Sequence, residues 1–152
     1  MSREDADPDA PAAIGAALYG LATRAVRRLP RDMSLTSAAT LATLDRTGPR
    51  RIGDLAAAEG VTQPAMTALV RVMEESGLVE RWGDASDKRV TLVCLTEAGA
   101  SYVRTRRQAG IDAFERLIGE LTGDEVEALV AALPALNHLA ELESQDREGP
   151  KQ

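Results

Sequence analysis

Residues 62–99, TQPAMTALVRVMEESGLVERWGDASDKRVTLVCLTEAG, change their hydrophobic period twice. Met66, Leu69, Val70 and Met73 recur at spacings of three and four, which places them on one face of a helix. Thr62 is its N-cap, and Pro64 is tolerated because the first turn needs no backbone N–H there. Gly77 ends the helix. Leu78–Trp82 and Val90–Leu95 then read as two strands joined by the charged turn GDASDKR, and Thr96 caps a new helix. The first helix buries one face only. Positions 63, 64, 67, 68 and 71 point the other way and are mostly small or polar.

Upstream, a helix is expected from about Pro11 to Leu29, with Ile14, Leu18, Leu21, Ala25 and Leu29 on one face and Pro30 as its stop. A second starts at Thr36, carries Ala39, Leu41, Ala42 and Leu44, and breaks at DRTGP. A short third covers Ile52 to Glu59, with Ile52, Leu55 and Ala56 inward and Gly60 terminating it. Downstream, the helix capped by Thr96 runs to about Leu121. In it Val103, Gly110 and Leu117 are seven apart, as are Phe114 and Leu121, which marks a packing seam. Thr122 and Glu125 form a capping box opening a sixth helix, with Val126, Leu129, Val130, Leu133, Leu136 and Ala140 on one side. Pro134 cannot donate to the carbonyl of Val130 and is expected to kink it. Residues 1–10 and 144–152 are polar tails expected to be disordered.

These elements imply a mainly α fold class: a winged helix-turn-helix over residues 34–99 with a two-stranded wing, flanked by terminal helices at 11–33 and 100–143. RRIGDLAAAEGVTQPAMTALVRVMEESGLV supplies a helix, a short turn and a second helix. Such a second helix lies in a DNA major groove. There Gln63 has the donor and acceptor for an adenine edge, and Thr67 a hydroxyl and a methyl. Arg71, two turns in, suits a phosphate. Arg81, Lys88 and Arg89 put positive charge on the ribbon, and Asp87 is placed to brace Arg89 along the hairpin axis. An arginine there suits a narrow minor groove. The plain alternative is a solvated helix face and a charged turn.

The terminal helices each carry an apolar stripe that one compact domain cannot cover, so a second copy of the chain is expected to bury them as a dimerisation layer. Charge qualifies the DNA reading. The 152 residues carry 18 basic and 24 acidic side chains, a net charge of −6. The balance is 0 over residues 1–33, −2 over 34–99 and −4 over 100–152. Because phosphate neutralisation supplies non-specific affinity, an acidic reader should bind weakly away from its site. One cysteine excludes an internal disulfide framework, and there is neither a signal-peptide pattern nor a run long enough to span a membrane. A cytoplasmic protein is the expectation. Gly-rich phosphate loops, zinc-protease motifs and nucleophile–base pairings are lacking, so neither an enzyme nor a cofactor is expected. Cys94 has no basic neighbour in sequence to activate it, His138 has no ligand cluster, and Trp82 is expected to pack at the base of the wing.

LTSAATLATL, GDLAAAEGV and the run ESGLVERWGDASDKRVTLVCLTEAG together resemble the MarR family of bacterial transcriptional regulators over residues 35–104. The GLVER strand, the D-x-R turn and the LTEAG helix start carry most of that likeness. The resemblance implies a homodimer on a roughly palindromic double-stranded operator, repressing until a small molecule binds between the dimer layer and the reader. By position, Gln63, Pro64, Thr67, Ala68 and Arg71 match the recognition helix, and Asp87 and Arg89 match the wing pair. Two positions depart: Ala68 stands where an arginine is frequent, and Arg51 where a serine or threonine cap is usual. For an effector, the convergence of the first, second and fifth helices points to Leu18, Leu21 and Leu41, with Arg24 to pair an acidic group. A winged helix serving protein association and a ligand-sequestering dimer are the competing readings.

Overall fold

The computed structural model describes residues 8–28, 32–83 and 91–148. The chain divides into two units, residues 1–32 and 33–152. The first holds one helix, α1 (Ala10–Arg28). Its Ile14, Leu18, Leu21 and Val26 are exposed, and the Thr23 hydroxyl donates back to the Tyr19 carbonyl at 2.8 Å.

The second unit runs α2 (Leu35–Thr47), β1 (Arg50–Arg51), α3 (Ile52–Ala58), α4 (Gln63–Glu75), β2 (Val79–Gly83), β3 (Thr91–Leu95), α5 (Glu97–Ile118) and α6 (Gly123–Glu148). It is mainly helical, with one small antiparallel sheet of order β1-β3-β2. The hairpin pairs Val79 with Leu95 and Gly83 with Thr91, and on its other edge β3 pairs Val93 with Arg50 and Leu92 with Arg51. Sequence reading expects only the hairpin. Two charged residues carry no strand signal, and Arg50 and Arg51 become a strand because β3 offers them a free edge.

Leu41 and Leu44 of α2, Leu55 of α3, Met66, Val70 and Met73 of α4, Val79 and Val93 form one buried cluster. Each such side chain, fully buried, stabilises by about 1.5–3 kcal/mol over leaving it in water. Leu69 is half-buried against this cluster, while Ala42, grouped with the α2 stripe in sequence, is exposed. Thr40 is buried among these groups, and its hydroxyl is satisfied by the Thr36 carbonyl at 2.8 Å.

The helix ends explain the remaining differences from expectation. The cap of α2 is Ser34, not Thr36: its hydroxyl accepts from the Ser37 N–H at 3.0 Å, two residues earlier in the chain. Four of the five residues from Ser34 to Ala38 are small or hydroxyl-bearing, so sequence spacing alone does not separate the candidates. Gly77 closes α4 with positive φ. Its N–H meets the Glu74 carbonyl at 2.9 Å and the Leu78 N–H meets the Met73 carbonyl at 2.9 Å, the Schellman arrangement.

Thr96 fastens the hairpin and α5 to that turn. Its N–H reaches the Leu78 carbonyl at 3.1 Å and its hydroxyl donates to the Gly77 carbonyl at 2.6 Å. The same hydroxyl oxygen accepts from the Gly99 N–H at 3.0 Å, capping α5. At the far end, Thr122 and Glu125 form the expected box, with Thr122 N–H to Glu125 Oε2 at 2.8 Å and Glu125 N–H to Thr122 Oγ1 at 3.4 Å. The hydrogen bonds from Thr122, backbone first, hold the Glu125 carboxyl below its ordinary pKa, so this cap persists until the pH falls through that lowered value. α6 runs unbroken through Pro134 and on to Glu148, so residues 144–148, expected as tail, are helical.

Candidate nucleic-acid interface

The buried face of α4 fixes the opposite face outward. Gln63, Pro64, Thr67, Ala68 and Arg71 are all exposed. Thr62 caps the helix, accepting from the Ala65 N–H at 3.4 Å, and Pro64 sits in the first turn. The Thr67 hydroxyl donates to the Gln63 carbonyl at 2.8 Å. Its single proton is thus committed to the helix, leaving the lone pairs and the methyl for anything outside. Gln63 keeps a side-chain amide with both donor and acceptor. Ala68 adds only a methyl, so the surface between Thr67 and Arg71 is flat.

The arginines on this side have partners that sequence reading passed over. Arg71 Nε lies 2.9 Å from Glu75 Oε1, one turn along the same helix. Arg81 Nε, on β2, lies 3.1 Å from Glu74 Oε2 on α4. The first pair carries a sequence signal, opposite charges four apart on a helix. The second does not, because Glu74 and Arg81 meet only after the chain reverses at Gly77. Arg50, on this unit's edge strand, donates through Nε to Thr47 Oγ1 at 3.0 Å. Arg51 occupies the N-cap of α3 and makes no side-chain cap, as expected where a serine or threonine is missing.

Asp87, Lys88 and Arg89 follow β2 and precede β3 in the chain and lie outside the described residues. Trp82 is not packed at the base of the wing: it is 56% exposed, opposite Leu92 on the hairpin. Of the residues expected near an effector, Leu18, Leu21 and Arg24 are exposed on α1. Leu41 corrects the expectation, since it has no exposed surface and serves as core. Cys94 is buried, and burial first, then the Glu80 carboxylate, raise its pKa, keeping the thiol protonated and unreactive at neutral pH. Among the described residues no group of three or more His, Cys, Asp or Glu side chains is arranged to hold a metal, and no helix is long and apolar enough to cross a membrane.

The fold that carries this helix and hairpin recurs in known proteins. The family model described as MarR family matches residues 33–91. An HTH-type transcriptional regulator of Mycobacterium bovis is 31% identical over 117 residues, covering 71% of this chain and 82% of that protein. A transcriptional regulator from Thermotoga maritima superposes with a TM-score of 0.75 at 20% identity, over 87% of this chain and 96% of that one. A variant of Staphylococcus aureus MepR bound to an oligodeoxyribonucleotide superposes with a TM-score of 0.61 at 24% identity, over 85% of this chain and 92% of that one.

Proposed function

The chain belongs to the MarR family of transcriptional regulators, and from that membership we propose that it acts as a homodimeric repressor on a pseudo-palindromic double-stranded operator. The observation that carries this reading is the outward face of α4, small and polar from Gln63 to Arg71, beside an antiparallel hairpin on a fold also found in a DNA-bound relative. On this reading α4 enters the major groove with Gln63 on a base edge, the Thr67 methyl beside a thymine, and Arg71 toward phosphate. The hairpin tip follows the adjacent minor groove through Arg89, braced by Asp87, with Lys88 and Arg81 adding charge. Two copies place two such helices about one helical turn apart.

The test is a gel shift on DNA from upstream of the chain's own gene, with half-site spacing varied. Arg89→Ala is expected to weaken binding by roughly 1–3 kcal/mol, with the loss concentrated at an A·T-rich position. Gln63→Ala should relax base choice and leave the salt dependence nearly unchanged, because an amide releases no counterions. Failure of the unsubstituted protein to shift any duplex at low salt would overturn the DNA reading and leave a winged helix used for protein association.

Release by a small effector belongs to the same proposal. Leu18 and Leu21 give α1 an exposed apolar strip with the Arg24 guanidinium one turn on, a chemistry that favours a small aromatic carboxylate over a sugar or nucleotide. A tenfold loss of operator affinity requires about 1.4 kcal/mol of preference for the non-binding state. Aromatic acids are expected to raise the melting temperature and weaken the operator complex. A screen that moves neither would leave the protein governed by its abundance alone.

A further inference from the structure

Arg71 on the reading face and Arg81 on the adjoining strand are each matched by a glutamate, and the two pairs do different work. Arg81 and Glu74, 32% and 41% exposed, tie β2 to α4 across the turn at Gly77 and so hold two elements together. Arg71 and Glu75, 76% and 62% exposed, join neighbours on one helix. That helix is already capped by Thr62, stopped at Gly77 and anchored through Met66, Val70 and Met73. An exposed pair at this spacing adds little to stability. What it alters is the charge that α4 presents.

We propose that Glu75 is a specificity-determining residue: an internal counterion for Arg71 that suppresses binding to duplex lacking the correct bases. The inference rests on the DNA-binding reading above. An arginine that reaches a phosphate displaces a condensed cation, and this release drives non-specific affinity. When Arg71 moves from Glu75 to phosphate, however, the freed carboxylate takes up a cation and stands within a Debye length of the backbone. The two ion exchanges nearly cancel, so Arg71 contributes little on random sequence. On an operator, base contacts from Gln63 and Thr67 already hold α4 in the groove. Arg71 then faces one phosphate at a fixed position, an advantage that a helix loosely held on random duplex lacks. Glu75 therefore costs affinity mainly where base contacts are missing. The net charge of −2 over residues 34–99 is in keeping with a reader built for low background binding.

The experiment measures affinity for a random-sequence duplex and for the upstream-region duplex across about 50 to 200 mM KCl, using the full chain, Glu75→Gln, Arg71→Ala and the double variant. Glu75→Gln is expected to tighten the random duplex about three- to tenfold at low salt. It should also steepen the salt dependence by about 0.9, the contribution of one phosphate. On the upstream duplex the change should be under about twofold, so the specificity ratio falls. In the Arg71→Ala background the same substitution should tighten the random duplex clearly less, since only the screened repulsion of a lone carboxylate is then relieved. An unchanged random-duplex affinity in Glu75→Gln, with the full chain still binding upstream DNA, would overturn this inference alone. Equal tightening with or without Arg71 would also overturn it, making Glu75 one negative charge among many. If none of the four proteins binds any duplex, the DNA-binding reading fails and takes the inference with it.

Discussion

A chain carrying Gly99→Ala is expected to lose about 3 kcal/mol of stability or more. Gly99 lies in the first turn of α5 and is buried. A Cβ built there would overlap the carbonyl oxygen of Leu78 and stand 3.0 Å from Leu95 Cδ2. The leucine can rotate, but the carbonyl belongs to the backbone that Thr96 holds through its own N–H. Relief would thus have to come from moving α5 off the hairpin. For a chain of this length each kcal/mol shifts the melting temperature by about 2–4 °C, so thermal unfolding by circular dichroism should show a drop of roughly 10 °C. Gly53→Ala is the control, because its Cβ meets nothing. If both variants melt within 2 °C or so of the parent, the close approach at Gly99 does not constrain the fold.

The second large effect is expected from Leu117→Glu combined with Leu121→Glu. Both leucines are exposed, as are Ile111, Phe114 and Ile118 of α5 and Leu129, Leu133 and Leu139 of α6. Apolar surface of that extent on a single copy calls for a partner, and on the proposed homodimer a second copy covers it. Each leucine returned to water removes about 1.5–3 kcal/mol, and a two-fold interface counts every substitution twice. Placing a carboxylate where a leucine was buried adds desolvation to that loss. Sedimentation should therefore find the variant monomeric at micromolar concentration. Its operator affinity should fall about 10²- to 10⁴-fold, because the two half-sites are no longer read by one particle. A parent chain that sediments as a monomer would refute the homodimer outright. A dimeric double variant would move the interface elsewhere.

Much of this architecture is legible in the sequence, and the illegible parts share a cause. Met66, Val70 and Met73 announce their helix because the spacing that buries them is local, and the capping box at Thr122 and Glu125 is readable for the same reason. β1 is invisible because a two-residue strand of arginines exists only through Val93 and Leu92, some forty positions away. Gly99 reads as an ordinary helix residue until Leu78 is brought against it. Trp82 is expected inward because indoles bury well, yet its place on the hairpin leaves it largely in water. At the reading face, the outward positions of α4 come from its period. The pairing of Arg71 with Glu75 is available from the same period, four positions apart on one helix, whereas that of Arg81 with Glu74 depends on the reversal at Gly77, which spacing on a single element does not reveal.

The fastening at Thr96 has a mechanical corollary. Its hydroxyl and N–H bind the turn after α4 to the first turn of α5, with Gly99 letting the two approach closely. α4 and α5 thus meet at one joint, like the two arms of a lever, held there by these hydrogen bonds. α5 has 22 residues and, at 1.5 Å per residue, an arm of about 33 Å. A swing of about 3 Å at its far end reaches the joint as a turn of only about 5°. On the proposed DNA-binding reading the gearing runs downward: coarse displacement along α5 would be delivered to the groove as fine adjustment of pitch.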